Sequence, residues 1–132
     1  RDKLSPETLI IGNGDALDLD DARKKAKETG CDGVMLGKAI FGNPWLFDRN
    51  RKTVSTEEKL RVMAEHTKLF EELLGGVKNF AIMKKHYKAY VNGFDGAKEL
   101  RMKLMEAENA DEIEKMVNIF LKQSEIQVVA GQ

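Results

Sequence analysis

LIIGNGD (residues 9–15) decides how this chain is read. Thr8–Gly12 is a short β-prone run, and Asn13-Gly14-Asp15 stops it with turn-forming residues. LDLDDARKKAKETG (17–30) follows, with Asp18 or Asp20 placed to cap a helix, acidic residues in its first turn and Gly30 just past its end. GVMLG (33–37) is a second apolar run, short enough for a buried parallel strand. KAIFGNPWLF (38–47) reads as a broken helix with Pro44 near the start of its second piece. Strand, helix, strand, helix is a βαβ repeat and calls for a parallel sheet. Two parallel strands do not make a stable sheet by themselves. The stretch 1–50 is therefore expected to be the end of a larger α/β domain whose earlier strands lie outside this sequence.

Beyond DRNRKTVS (48–55) the pattern turns wholly helical. Ser55 with Glu58, and Asn109 with Glu112, are spaced as capping boxes. The first opens a helix with Leu60, Met63, Thr67, Phe70 and Leu74 along one face, with Leu69 and Leu73 beside them, ending at Gly75-Gly76. A second helix is expected over 77–91, carrying Phe80, Met83, Tyr87 and Tyr90, and a third over about 97–107. The last presents Ile113, Met116, Val117, Phe120 and Leu121, an i, i+3, i+4, i+7, i+8 stripe. The helical domain is placed at 55–123 and a flexible tail at 124–132.

Of the 132 residues, 33% are charged and 42% hydrophobic, ordinary for a globular chain. Cys31 is the single cysteine, so no internal disulfide forms and a reducing, cytoplasmic compartment is expected. No run of about 18 apolar residues suggests a membrane span. The opening RDKLSPETL lacks the apolar core of a signal peptide. Net charge is zero, yet residues 77–105 hold Lys78, Lys84, Lys85, Lys88, Lys98, Arg101 and Lys103 against only Asp95 and Glu99. A block this basic can meet phosphate, or can be a solvated helix surface.

The two strand ends, Asn13-Gly14-Asp15 and Gly37-Lys38, stand at matching positions of the βαβ unit. Ligands of α/β sheets bind beyond the carboxyl ends of the strands. Gly14 and Gly37 would admit a phosphate close to the backbone, Lys38 adds positive charge, and a short helix from about Ala39 adds N–H groups. No spacing of His, Cys, Asp and Glu suggests a metal. Asp18, Asp20 and Asp21 read as helix-start charges. His66 reads as structural. His86 could meet a phosphate or lie on a helix surface. Trp45, Phe47, Tyr87 and Tyr90 could stack on bases but sit in contexts that favour core packing.

The run IIGNGDALDLDDARKKAKETGCDGVMLGKAIFGNPWLF (10–47) resembles the end of the barrel in tRNA-dihydrouridine synthases, a flavoprotein family. KKHYKAYVNGFDGAKELR (84–101) resembles that family's C-terminal helical domain, and the likeness extends over about 9–122. The resemblance implies the last two βα units of an FMN-binding (βα)8 TIM-type barrel, followed by a helical bundle that binds tRNA. It implies that Asn13, Gly14, Asp15, Gly37 and Lys38 hold the phosphate and ribityl part of FMN. Lys84, Lys85, His86, Lys88, Lys98 and Arg101 are then the candidates for RNA contact. The family usually carries arginine where Lys38 stands, and lysine keeps the charge but not the bidentate fork. The family's catalytic acid is a cysteine in an earlier part of the barrel, so no catalytic residue is expected here, and Cys31 reads as a small packing residue. The implied reaction is reduction of uridine to 5,6-dihydrouridine in tRNA. NADPH is the reductant, FMN the hydride carrier, and the target base leaves the RNA fold to reach it. A monomeric native protein is expected, and this stretch alone is expected to be inactive. Two other readings stand beside this one: another FMN-dependent barrel oxidoreductase acting on a small molecule, and a non-catalytic RNA-binding helical module.

Overall fold

The computed structural model describes residues 5–51 and 53–131. The chain forms two compact units that divide between Arg51 and Lys52. The first is β1 (Ile11–Asn13), α1 (Leu19–Thr29), β2 (Gly33–Met35) and a 3-10 turn at Lys38–Ile40. The strands pair in parallel, with Ile11 opposite Gly33, Gly12 opposite Val34 and Asn13 opposite Met35. Asp18 caps α1 by accepting from the Asp21 N–H, and Gly30 closes it in the left-handed region at φ 70°. Both strands are shorter than the expected runs Thr8–Gly12 and Gly33–Gly37. Ile10 is held chiefly by Asp32: its N–H donates to Asp32 Oδ2 at 2.8 Å and its carbonyl accepts from the Asp32 N–H at 2.9 Å and from the Gly33 N–H at 3.3 Å.

The expected broken helix over 38–47 is not present. A single 3-10 turn gives way to successive turns, with Asn43 N–H donating to Ile40 O and Leu46 N–H to Asn43 O. Gly42 at φ 69° leaves the helical region, and Pro44 has no N–H to continue a ladder. Leu46 is buried, whereas Phe47 is exposed and not the core residue expected. Cys31 packs against β1, where its Sγ lies 3.2 Å from a Cβ built on Gly12, and its thiol donates to the Gly33 carbonyl at 3.2 Å.

The second unit is α-helical: α2 (Thr56–Leu74), a 3-10 turn (Phe80–Met83) running into α3 (Lys84–Tyr90), α4 (Ala97–Glu106) and α5 (Ala110–Ala130). The expected helix over 77–91 starts later. Gly75 and Gly76 are followed by turns, and Asn79 then caps the 3-10 turn through the Ala81 N–H. The expected tail from Ser124 is instead continuous helix to Ala130. Ser55 accepts from the Glu58 N–H and Asn109 from the Glu112 N–H, as capping boxes require. Glu112 returns its carboxylate one residue further back, to the Glu108 N–H.

The core joins Leu60 and Met63 of α2, Met83, Tyr87 and Tyr90 around α3, Leu100 and Leu104 of α4, and Ile113 and Val117 of α5. Packing of α2 along α5 is the most extensive helix pairing. At its edge Glu71 of α2 accepts from the Ala110 N–H at 2.8 Å, so α2 caps the start of α5 across a long gap in sequence. Leu69, Leu73 and Leu74, on the α2 face read as apolar, are exposed.

Candidate functional site

Because β1 and β2 are parallel neighbours, their carboxyl ends lie side by side. Asn13-Gly14-Asp15 leaves one end and Gly37-Lys38 the other. The Lys38 ammonium reaches Asp15 Oδ1 at 3.2 Å, which links the two turns. Both side chains are largely solvent-exposed, at 87% and 77%, so the pair adds little stability and its members are available to exchange partners. Asp15 holds a left-handed backbone at φ 44°, a region aspartate tolerates better than most residues.

Gly14 and Gly37 sit where the strand ends open outward. Neither has positive φ, and a Cβ built on either meets nothing within 4 Å. Among the described residues nothing therefore requires glycine at these positions, and the space a side chain would fill is free of them. That open space over two adjacent turns fits a phosphate approaching the backbone. Lys38 can neutralise it, and Asp15 and Asn13 can accept from hydroxyls. The 3-10 turn at Lys38–Ile40 is only three residues long, so the expected helix dipole behind the site is minor.

Sequence reading did not single out Lys25. Its ammonium donates to the carbonyls of Gly14 at 3.0 Å and Asp15 at 3.2 Å and pairs with Asp21 at 3.1 Å. Asp21 in turn accepts from the Leu17 N–H at 2.9 Å. That backbone bond, then Lys25, hold the Asp21 carboxyl below the usual carboxylate range. The turn after β1 is thus clamped from α1. The only available signal was the Asp21–Lys25 spacing of four on a helix.

In the helical unit, Lys88 of α3 and Lys98 and Arg101 of α4 line one groove with Met102 and Met105. Arg101 Nη1 donates to the Val91 carbonyl at 2.8 Å, which ties α4 to the end of α3. Lys84, Lys85 and His86 stand at the start of α3 and do not line this groove. His86 packs edge-on against His66, with ring centres 5.0 Å apart, and His66 Nδ1 lies 3.2 Å from the Tyr90 hydroxyl. Burial pushes both imidazoles below their ordinary value, and for His86 the neighbouring His66 and Lys85 add to it. Tyr87 and Tyr90 are buried in the core and not placed to stack on bases, while Trp45 lies beside the Arg51 guanidinium. Among the described residues no group of three His, Cys, Asp or Glu side chains could hold a metal, and no helix is long and apolar enough to cross a membrane.

A parallel βαβ unit open at its strand ends is followed by a helical unit with one strongly basic stretch, residues 77–105. The family model for dihydrouridine synthase (Dus) covers residues 1–126. The chain belongs to the dihydrouridine synthase family. It is 34% identical over 121 residues to a probable tRNA-dihydrouridine synthase of Staphylococcus epidermidis, and equally so to probable tRNA-dihydrouridine synthase 2 of Bacillus subtilis. A probable tRNA-dihydrouridine synthase of Staphylococcus aureus is 33% identical over the same length. Each match takes in 91% of this chain and 37% of the relative, so the chain spans somewhat more than a third of the curated relatives it matches.

Proposed function

We propose that this chain supplies the phosphate-holding end of an FMN site, within the last two βα units of a TIM-type barrel, and an RNA-binding helical unit. Together they serve a tRNA-dihydrouridine synthase that reduces uridine to 5,6-dihydrouridine with NADPH. The observation that carries the reading is the junction of the two strand ends, where Lys38 meets Asp15 beside two glycines that nothing among the described residues requires. Bound there, FMN would supply the hydride chemistry. The residues present do the holding. Lys38 would leave Asp15 for the phosphate, a charge-assisted contact. Asn13 and Asp15 would accept from ribityl hydroxyls, and Gly14 and Gly37 would keep the approach clear. Lys25 keeps the first turn in shape from below.

The test compares tRNA from cells with and without this protein. Dihydrouridine is expected to vanish from at least one tRNA position in its absence and to return with the unaltered gene. Undiminished dihydrouridine would overturn the substrate. For the flavin, Lys38→Met in the native protein should lower FMN affinity by roughly tenfold or more, the order expected for one charge-assisted contact. Lys38→Arg should hold FMN at least as tightly, through its bidentate fork. Flavin retained equally by both variants and the unaltered protein would remove Lys38 from the site.

A further inference from the structure

The basic block of residues 77–105 is not spread evenly once folded. On α4, Lys98, Arg101, Met102 and Met105 follow i, i+3, i+4, i+7 spacing and face one groove with Lys88 of α3. The two acids of the block, Asp95 and Glu99, line a different groove together with Lys103. One groove of about 430 Å³ is therefore lined by three cations and two methionines, with no carboxylate among its lining residues. Among the described residues no carboxylate lies within 4.0 Å of the Lys88 or Lys98 ammonium. Arg101 is fixed by the bond from its Nη1 to the Val91 carbonyl, which uses one of the five N–H donors of its guanidinium. Met102 is 65% exposed, so its thioether is accessible beside the three cations.

We infer that this α3–α4 groove seats a single unpaired nucleotide of RNA, its phosphodiester among Lys88, Lys98 and Arg101 and its ribose or base against Met102 and Met105. The inference rests on the RNA-binding reading above and narrows it to one groove and one kind of nucleotide. Three cations lining one groove suit a phosphate. A polarisable, flexible thioether surface suits the flat face of a base, which a duplex would keep stacked away. Lys84, Lys85 and His86 take no part in this seat.

The test uses the 132-residue chain and measures affinity for a short unstructured oligoribonucleotide and for its duplex across a salt series. Lys88→Gln with Lys98→Gln should weaken single-strand binding by roughly tenfold and make its log–log salt slope shallower by about 1.4, two contacts at 0.7 each. Met102→Ala should weaken the single strand by roughly two- to tenfold and leave the duplex unchanged. Lys103→Gln, in the mixed-charge groove, should match the unaltered chain. Arg101 is left alone because its loss would also free the end of α3. Binding by the chain that ignores the Lys88/Lys98 pair overturns the groove and leaves the RNA reading standing. Equal loss on single strand and duplex from Met102→Ala overturns the unpaired nucleotide. Failure of the unaltered chain to bind either RNA overturns both readings.

Discussion

At the scale of single residues, the helical unit depends on one polar contact inside its core. Thr67 is fully buried, and its Oγ1 lies 2.9 Å from the Met63 carbonyl oxygen and 3.2 Å from the Tyr87 hydroxyl. Burial is the main reason that the Tyr87 hydroxyl is pushed up to about 12, so it stays protonated across the ordinary pH range. Replacing Thr67 leaves the Tyr87 hydroxyl buried without this partner, whereas Tyr87→Phe leaves Thr67 its bond to the Met63 carbonyl. Thr67→Val is expected to cost about 1–3 kcal/mol in urea unfolding at an unchanged m-value. The double change with Tyr87→Phe should cost less than the two single changes added, because it removes both polar groups together. Strict additivity would mean that the hydroxyls do not interact. This contact was half-legible in the sequence. The helical stripe placed Thr67 and Tyr87 on buried faces, but no periodicity says that two hydroxyls on different helices meet. Lys25 is the same case at the turn after β1: its pairing with Asp21 could be read from spacing, its hold on the Gly14 and Asp15 carbonyls could not.

At the scale of elements, helix starts were the most legible feature, because a cap is a contact between residues two or three apart. Asp18, Ser55 and Asn109 each accept the N–H their position demands. Strand ends and helix breaks were less legible, since Asp32 taking over Ile10 and Gly42 turning left-handed depend on neighbours that folding supplies. The helix over 124–130 was not read from the sequence because chain ends commonly fray, although helix already underway needs little to continue. Two predictions belong here. Gly96 begins α4 at φ 79°, and a Cβ there would stand 3.0 Å from the Phe120 ring of α5. Gly96→Ala should therefore destabilise the helical unit by more than about 1 kcal/mol, visible as a lowered thermal midpoint. The α2–α3 contact should be pH-sensitive. His66 and His86 titrate below 6.5 when folded, so the unfolded chain takes up their protons first. Their contribution is intact above about 6.5 and is lost as pH falls through the lower folded values. Replacing both with Gln should flatten the decline of thermal midpoint below pH 6.5; an unchanged slope would assign that decline to other groups.

At the scale of the whole molecule, apolar burial is divided unequally between the two units. Every residue of the main core cluster lies between Leu60 and Val117. Among the described residues of the first unit the buried apolar side chains are Ala16, Ala22 and Leu46, while Leu9, Ile11 and Met35 of the strands and their approach remain half or more exposed. A two-stranded parallel sheet with exposed apolar side chains gains little from burial, and chains this short are marginal even with a full core. The helical unit has four α-helices around one core and its own caps, so it carries what independent folding needs. Residues 53–131 produced alone should unfold cooperatively, with helical circular dichroism and a sigmoidal melt. Residues 5–51 alone should show no cooperative transition. In the 132-residue chain, amide exchange in β1 and β2 should be orders of magnitude faster than around Leu60, Tyr87 and Ile113, because the strands can open without disturbing that core. If Ile11 and Val34 were instead protected as strongly as the helical core, the sheet would be stabilised by something other than its own burial. The strand ends that carry Asp15 and Lys38 would then be rigid before any phosphate arrives, and not ordered by it.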